Sequence, residues 1–309
     1  MRWRGVIAGI CCLALPFALA GCGSDKTQHV KSSRPAAVTP TAMLQSKPSP
    51  TPAPCTTLGD CPQRFDAAAA FVRRQQGHLG VVVRDRQTGK VWTAGEPGRR
   101  IWTASSIKLA IATDMLERDR SGAVTLSAQD RLLMAGMLNW SDEDAAMTLW
   151  KKYEGDAGVA RWRTRYGMKD VGFVPGFAHN WGFMKATPRD FDSLVSYVLN
   201  NAVAPIRQYL VSALQGVAAN QRWGIWAAGS QEHPGNKDGW SYEADDGGHN
   251  WITNTVGFAG PQQRYVLSVM YQLPPRGTLA QGVHVVSDLV ATLFGRPVPA
   301  TITVPAPDG

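Results

Sequence analysis

Three short stretches carry side chains whose types and spacing suit acyl transfer. In Thr103-Ala104-Ser105-Ser106-Ile107-Lys108, a serine and a lysine stand three residues apart. At a helix start these positions share one face, so Lys108 can remove the Ser105 proton or hold the hydroxyl in place. The helix N-terminus also offers its positive dipole end to developing negative charge. Asn139-Trp140-Ser141-Asp142-Glu143-Asp144 adds a second serine, followed by three carboxylates. Asn236-Lys237-Asp238-Gly239-Trp240 adds a second lysine, then a glycine where a strand begins.

The elements that must hold these stretches are legible in outline. Phe65 to Gln76 reads as an amphipathic helix. Leu79–Asp85 and Lys90–Ala94 flank Arg86-Gln87-Thr88-Gly89, a hairpin pattern. Ser105 to Arg118 reads as helix, and residues 126–200 as mostly helical with broken loops. Strand texture returns near Lys237, and Trp251–Phe258 and Tyr265–Gln272 form a second hairpin. Leu279 to Phe294 closes as a helix. This order predicts an α/β (α+β) fold: an antiparallel sheet with the terminal helices on one face and a compact helical subdomain on the other.

The first sixty residues read differently. Arg2 and Arg4 precede an apolar stretch, Val6 to Leu19, of signal-peptide length. It ends in Leu19-Ala20-Gly21-Cys22, small residues before a thiol able to take a diacylglycerol. Residues 1–21 are therefore expected to be a lipoprotein signal peptide, and Cys22 the lipidated residue on the extracytoplasmic face of a cell membrane. Residues 22–61 are expected to be a flexible linker, rich in proline (Pro35, Pro40, Pro48, Pro50, Pro52, Pro54) and unable to bury a core. Of the five cysteines, Cys11 and Cys12 leave with the signal. Cys55 and Cys61 are expected to pair as a disulfide in an oxidising compartment. The folded domain is expected over 62–296, with a C-terminal tail at 297–309.

The formal charge is +8. Two of these charges lie in the signal, and Lys26, Lys31, Arg34 and Lys47 against Asp25 place more of it beside the membrane. Little excess remains on the domain, and nothing points to nucleic acid as a partner. His179, His233 and His249 are scattered without metal-ligand spacing, so neither a metal nor another cofactor is expected. A monomer is expected. There is no G-x-S-x-G, which disfavours an α/β-hydrolase nucleophile elbow.

In this order, S-x-x-K, then a serine-aspartate motif, then K-x-G make the chain resemble serine β-lactamases and penicillin-binding proteins, closest to actinobacterial class A β-lactamase-like serine hydrolases. The likeness extends to Trp181-Gly182, Thr187-Pro188-x-Asp190 and Trp223-Gly224-Ile225. It implies Ser105 as the acylated nucleophile, Lys108 as its activating neighbour and Ser141 as the proton relay to the leaving group. It implies Lys237 as complement to a substrate carboxylate, with Glu143, Asp238 and Gly239 lining the substrate site. The backbone N–H groups of Ser105 and Trp240 would form the oxyanion hole. A peptidoglycan stem or a β-lactam is the implied substrate class. Three departures stand against full activity. Glu143 replaces the family's asparagine, Asp238 replaces its hydroxyl residue, and residues 157–200 hold no glutamate to activate a deacylating water. The alternative is therefore an impaired pseudoenzyme, a cell-wall binding or scaffolding lipoprotein.

Overall fold

The computed structural model describes residues 57–245 and 248–307. Two strands read as almost unbroken apolar runs because both of their faces are covered. β1 (His78–Asp85) and β8 (Tyr265–Gln272) lie side by side and antiparallel, with Val81 opposite Val269. β2 (Val91–Gly95) flanks β1, and its residues alternate between half-buried and exposed, as expected of an edge. The two form a hairpin in which Asp85 N donates to Lys90 O, and Gly89 turns at φ +73°. On the other side of β8 come β7 (Gly248–Ala259) and β6 (Gly235–Asp245), giving the order β2-β1-β8-β7-β6.

Alternation along β8 divides the core in two. Leu267, Val269 and Tyr271 face one side and Val266 and Met270 the other. The first side is covered by α1 (Pro62–Arg73) and α8 (Leu279–Phe294). In α8, Leu279, Val283, Val286, Val290 and Leu293 recur at three- and four-residue steps and are buried against the sheet. The other side carries α2 (Lys108–Arg120), α3 (Ala128–Asn139), α4 (Glu143–Lys152), α5 (Gly158–Arg165), α6 (Pro188–Asn200) and α7 (Ala204–Gln215). The predicted layering is thus found, with the terminal helices on one face and the helical subdomain on the other.

Four details differ from expectation. α1 starts earlier, with Pro62 in its first turn, where a missing N–H costs nothing, and it ends at Arg73. A second small sheet joins β3 (Ile101–Trp102), β4 (Gly172–Phe173) and β5 (Met184–Ala186) in the order β3-β5-β4. Ser105 lies in a tight helical turn, Ala104–Ile107, that precedes α2. The residues read as a tail pack on the domain: Ala300 N donates to Asp288 Oδ1 at 2.6 Å, and Ile302 and Val304 cover the α1/α8 core. Cys61 is buried at the start of α1. Its expected partner Cys55, the lipidation residue Cys22 and the rest of residues 1–56 lie outside the described residues. Among the described residues, no helix is long and apolar enough to cross a membrane.

Candidate active site

The helical subdomain and the edge strand β6 meet along a cleft of about 350 Å³. Ser105, Ser141, Glu143, Trp181 and Glu243 line it. The turn carrying Ser105 is held from two directions. Asn254 on β7 donates from Nδ2 to Trp102 O and Thr103 O, at 2.9 and 3.1 Å. Gly239 on β6 approaches so closely that a Cβ there would stand 2.7 Å from Ser106 N and 2.9 Å from Ser105 N. Only glycine fits that contact. It sets the next residue, Trp240, beside the turn that carries Ser105.

Ser141 sits between α3 and α4 with φ +62°, a left-handed conformation unusual for serine. The two helices are braced behind it. Ser127 and Asp130 form a capping box at the start of α3. The same Asp130 carboxylate accepts from Lys152 Nζ at 2.7 Å and Tyr153 OH at 2.7 Å, at the far end of α4. Burial pushes that carboxyl up, but the Lys152 ammonium, Ser127 and Tyr153 together hold it well below the usual carboxylate range.

Both lysines are fully buried. Lys108 Nζ donates to Ser141 O at 2.7 Å, to Glu143 Oε1 at 3.2 Å and to Ser141 Oγ at 3.4 Å. It also lies 4.5 Å from the centre of the Trp181 ring. Among the described residues none of its hydrogen bonds goes to Ser105. Burial pulls its pKa below the usual lysine range, and the Glu143 carboxylate pushes back. Lys237 Nζ donates to Ser141 Oγ, Gln221 Oε1 and Asp238 O, each at 2.9 Å. Burial and the neighbouring Lys108 lower its pKa further.

Glu143 is the exposed charge of the set: its side chain is 67% exposed, and its Oε1 accepts from both Ser105 Oγ at 3.4 Å and Lys108. It stands at the first position of α4, where the helix dipole favours a carboxylate. The structure therefore brings together Ser105, Lys108, Ser141, Glu143, Lys237 and Gly239. It does not bring the Asp238 side chain to the cleft. That carboxyl is fully buried on the opposite face of β6, near Thr255. Reading Asp238 as a substrate-binding side chain is corrected accordingly, because neighbouring residues of a strand point to opposite faces. Lys237, for its part, sits beneath Ser141 and not on the open lining of the cleft. Trp181 and Trp240 line the cleft, whereas Trp140 is exposed elsewhere on the surface.

The carboxylates of residues 157–200 are engaged or distant. Asp190 caps α6 and accepts from Asp170 N, and Asp192 makes a two-point pair with Arg84. Four participants were not singled out from sequence: Asn254, Gln221, Glu243 and Pro307, the last lining the cleft from the C-terminal segment. Each depends on a contact between residues far apart in the chain, which no local pattern signals.

Fold and site together define the class A β-lactamase fold. A β-lactamase from Xanthomonas campestris superposes with a TM-score of 0.63 at 17% identity, covering 78% of this chain and 99% of that one. A β-lactamase from Chitinophaga pinensis gives 0.63 at 13%, covering 75% and 98%. No family model matches the chain. The protein named lipoprotein LppW of Mycobacterium tuberculosis is 30% identical over 250 residues, 76% of this chain and 78% of that protein. The chain belongs to this LppW family.

Proposed function

We propose that the protein is a lipid-anchored serine acyl-transfer hydrolase of the extracytoplasmic face, with the lipid on Cys22 and the acyl group carried by Ser105. One observation supports this most: an unbroken hydrogen-bonded chain runs Ser105–Glu143–Lys108–Ser141–Lys237, from the cleft wall to the lysines buried beneath it. In this reading Ser105 attacks the acyl carbonyl, and the backbone N–H groups of Ser105 and Trp240 hold the oxyanion. Ser141 protonates the leaving group, and Lys237 holds Ser141 in place. The name of the LppW relative supports the anchor, and the 22–56 segment would tether the domain within reach of peptidoglycan. A disulfide between Cys55 and Cys61 would close the linker onto α1. The substrate would be a peptidoglycan stem amide or a related acyl donor, β-lactams included.

The test is intact-mass analysis after incubation with a fluorescent penicillin and, separately, a fluorophosphonate. An adduct on the wild type that Ser105→Ala lacks is expected. No adduct with either probe, or an equal adduct on Ser105→Ala, rejects the reading.

A second reading, a wall-binding scaffold without turnover, is favoured by one feature: Lys108 is ion-paired with Glu143 and makes no hydrogen bond to Ser105. Replacing Glu143 by asparagine separates the two. Acylation gained only in that variant supports the scaffold.

A further inference from the structure

We infer that Glu143 is the general base that activates Ser105, taking the place that a lysine or a distant loop glutamate holds in related enzymes. The proposal rests on Ser105 being the acylated residue.

Geometry comes first in assigning a base. Glu143 Oε1 accepts from Ser105 Oγ at 3.4 Å, a long contact of the kind that tightens once a substrate closes the cleft. Lys108, the expected base, directs its donors at Ser141 and Glu143 and shows none toward Ser105. Its ammonium instead fixes Glu143 Oε1, and the first turn of α4 supports the negative charge. The side chain is open to the cleft, so it also faces any water that enters after the leaving group departs. Among the described residues no other carboxylate lining the cleft hydrogen-bonds to Ser105; Glu243 lies there too, set among Ser241, Asp245, His249 and Lys185.

The proton balance closes with residues in place. The Ser105 proton passes to Glu143 as Oγ bonds to the acyl carbon. The bond from that carbon to the leaving group breaks, and the leaving group takes the Ser141 proton. Lys108, 3.2 Å from Glu143 and 3.4 Å from Ser141 Oγ, gives a proton to Ser141 and recovers one from Glu143. In the second half Glu143 takes a proton from water, hydroxide adds to the acyl carbon, and the proton returns to Ser105 as its bond to that carbon breaks. The sum is acyl donor plus water giving acid plus leaving group.

The test is the rate of fluorophosphonate labelling of the full chain, wild type and variants, across pH. Fluoride leaves without a proton, so this rate reports activation of Ser105 apart from the acid step at Ser141. With Glu143 as base, Glu143→Gln slows labelling about 100-fold or more. The decline of the wild-type rate at acid pH disappears in that variant, and Glu143→Asp retains part of the rate. A purely positioning role for Glu143 would leave the acid decline in place. If Lys108 were the base, removing the neighbouring carboxylate would favour its neutral form, and Glu143→Gln would label as fast or faster. That result, or an unchanged pH profile, overturns the inference while leaving Ser105 as nucleophile. Failure of the wild type to label at all overturns both. Glu143 is largely exposed, so Glu143→Gln is expected to fold, and a thermal melt within a few degrees of wild type verifies it.

Discussion

Lys237 donates to the Ser141 hydroxyl at 2.9 Å from a position with no solvent exposure. Its other two protons go to Gln221 Oε1 and Asp238 O, so the amine has one orientation. In the proposed mechanism a lysine so confined orients the Ser141 hydroxyl. Lys237→Met should slow acylation by an anilide, whose nitrogen must be protonated to leave, about 10- to 100-fold, since Ser141 keeps only the longer contact from Lys108. Fluorophosphonate labelling, which needs no acid, should fall much less. Parallel rate measurements with the two probes check this, and equal losses would contradict the split.

Gly239 sets how near β6 comes to the turn that carries Ser105. A Cβ at this position meets backbone nitrogens at 2.7 and 2.9 Å, and backbone cannot swing aside as a side-chain tip can. Gly239→Ala should destabilise the fold by about 1–3 kcal/mol and displace the turn. Urea unfolding and Ser105 labelling measured together test this. Wild-type values in both would mean that strand and turn part freely.

Asp130 ties both ends of the α3–α4 pair, and so holds the loop that bears Ser141 and Glu143. Its folded-state pKa is depressed, so its carboxylate stabilises the fold above the unfolded-state value, and this contribution fades as pH falls through the folded-state value. Asp130→Asn should cost about 1–3 kcal/mol at neutral pH and progressively less in acid. Denaturant titrations at pH 7 and pH 3 give the comparison. An equal cost at both would rule out the charged brace.

Asp238 behaves in the opposite sense. Burial raises its pKa well above the carboxylate range, against the pull of Thr255 and Lys237. The folded protein then binds a proton that the unfolded chain releases, so stability declines as pH rises above the unfolded-state value. Asp238→Asn, similar in shape and always neutral, should gain about 1–2 kcal/mol over wild type at pH 8. The gain should vanish near pH 4. A penalty at both pH values would show that the carboxylate is ionised and needed by Lys237.

How much of this was legible depends on the range of the interaction. β1 and β8 were visible as short, nearly unbroken apolar runs, and α8 because its apolar face recurs at three- and four-residue steps. Ser105, Lys108, Ser141 and Lys237 were visible as motifs in a fixed order, and the structure does gather them. The β3-β5-β4 sheet was not, because strands of two or three residues carry no period to read. The Asp130–Lys152 brace and the Asn254 clamp were hidden for another reason: they are single polar contacts across 22 and about 150 residues. Asp238 was misread because its side-chain direction depends on which face of β6 meets the cleft, a matter of packing and not of motif.

Residues 297–309 were expected only as a C-terminal tail. Yet Trp240 Nε1 donates to Ala306 O at 3.0 Å, and Pro307 reaches the cleft wall. The indole that accompanies the expected oxyanion position is thereby fixed from the chain's own end. Ile302, Val304 and the buried Pro305 anchor the segment, while Ala306 and Pro307 are exposed. Removing residues 306–309 should therefore leave the melting temperature within a few degrees. It frees the Trp240 indole and widens the mouth, so bulky fluorophosphonates should label Ser105 several-fold faster while small ones change little. Labelling rates for probes of graded size decide the matter: a uniform change across the series would mean that the segment acts on the nucleophile itself and not on access to it.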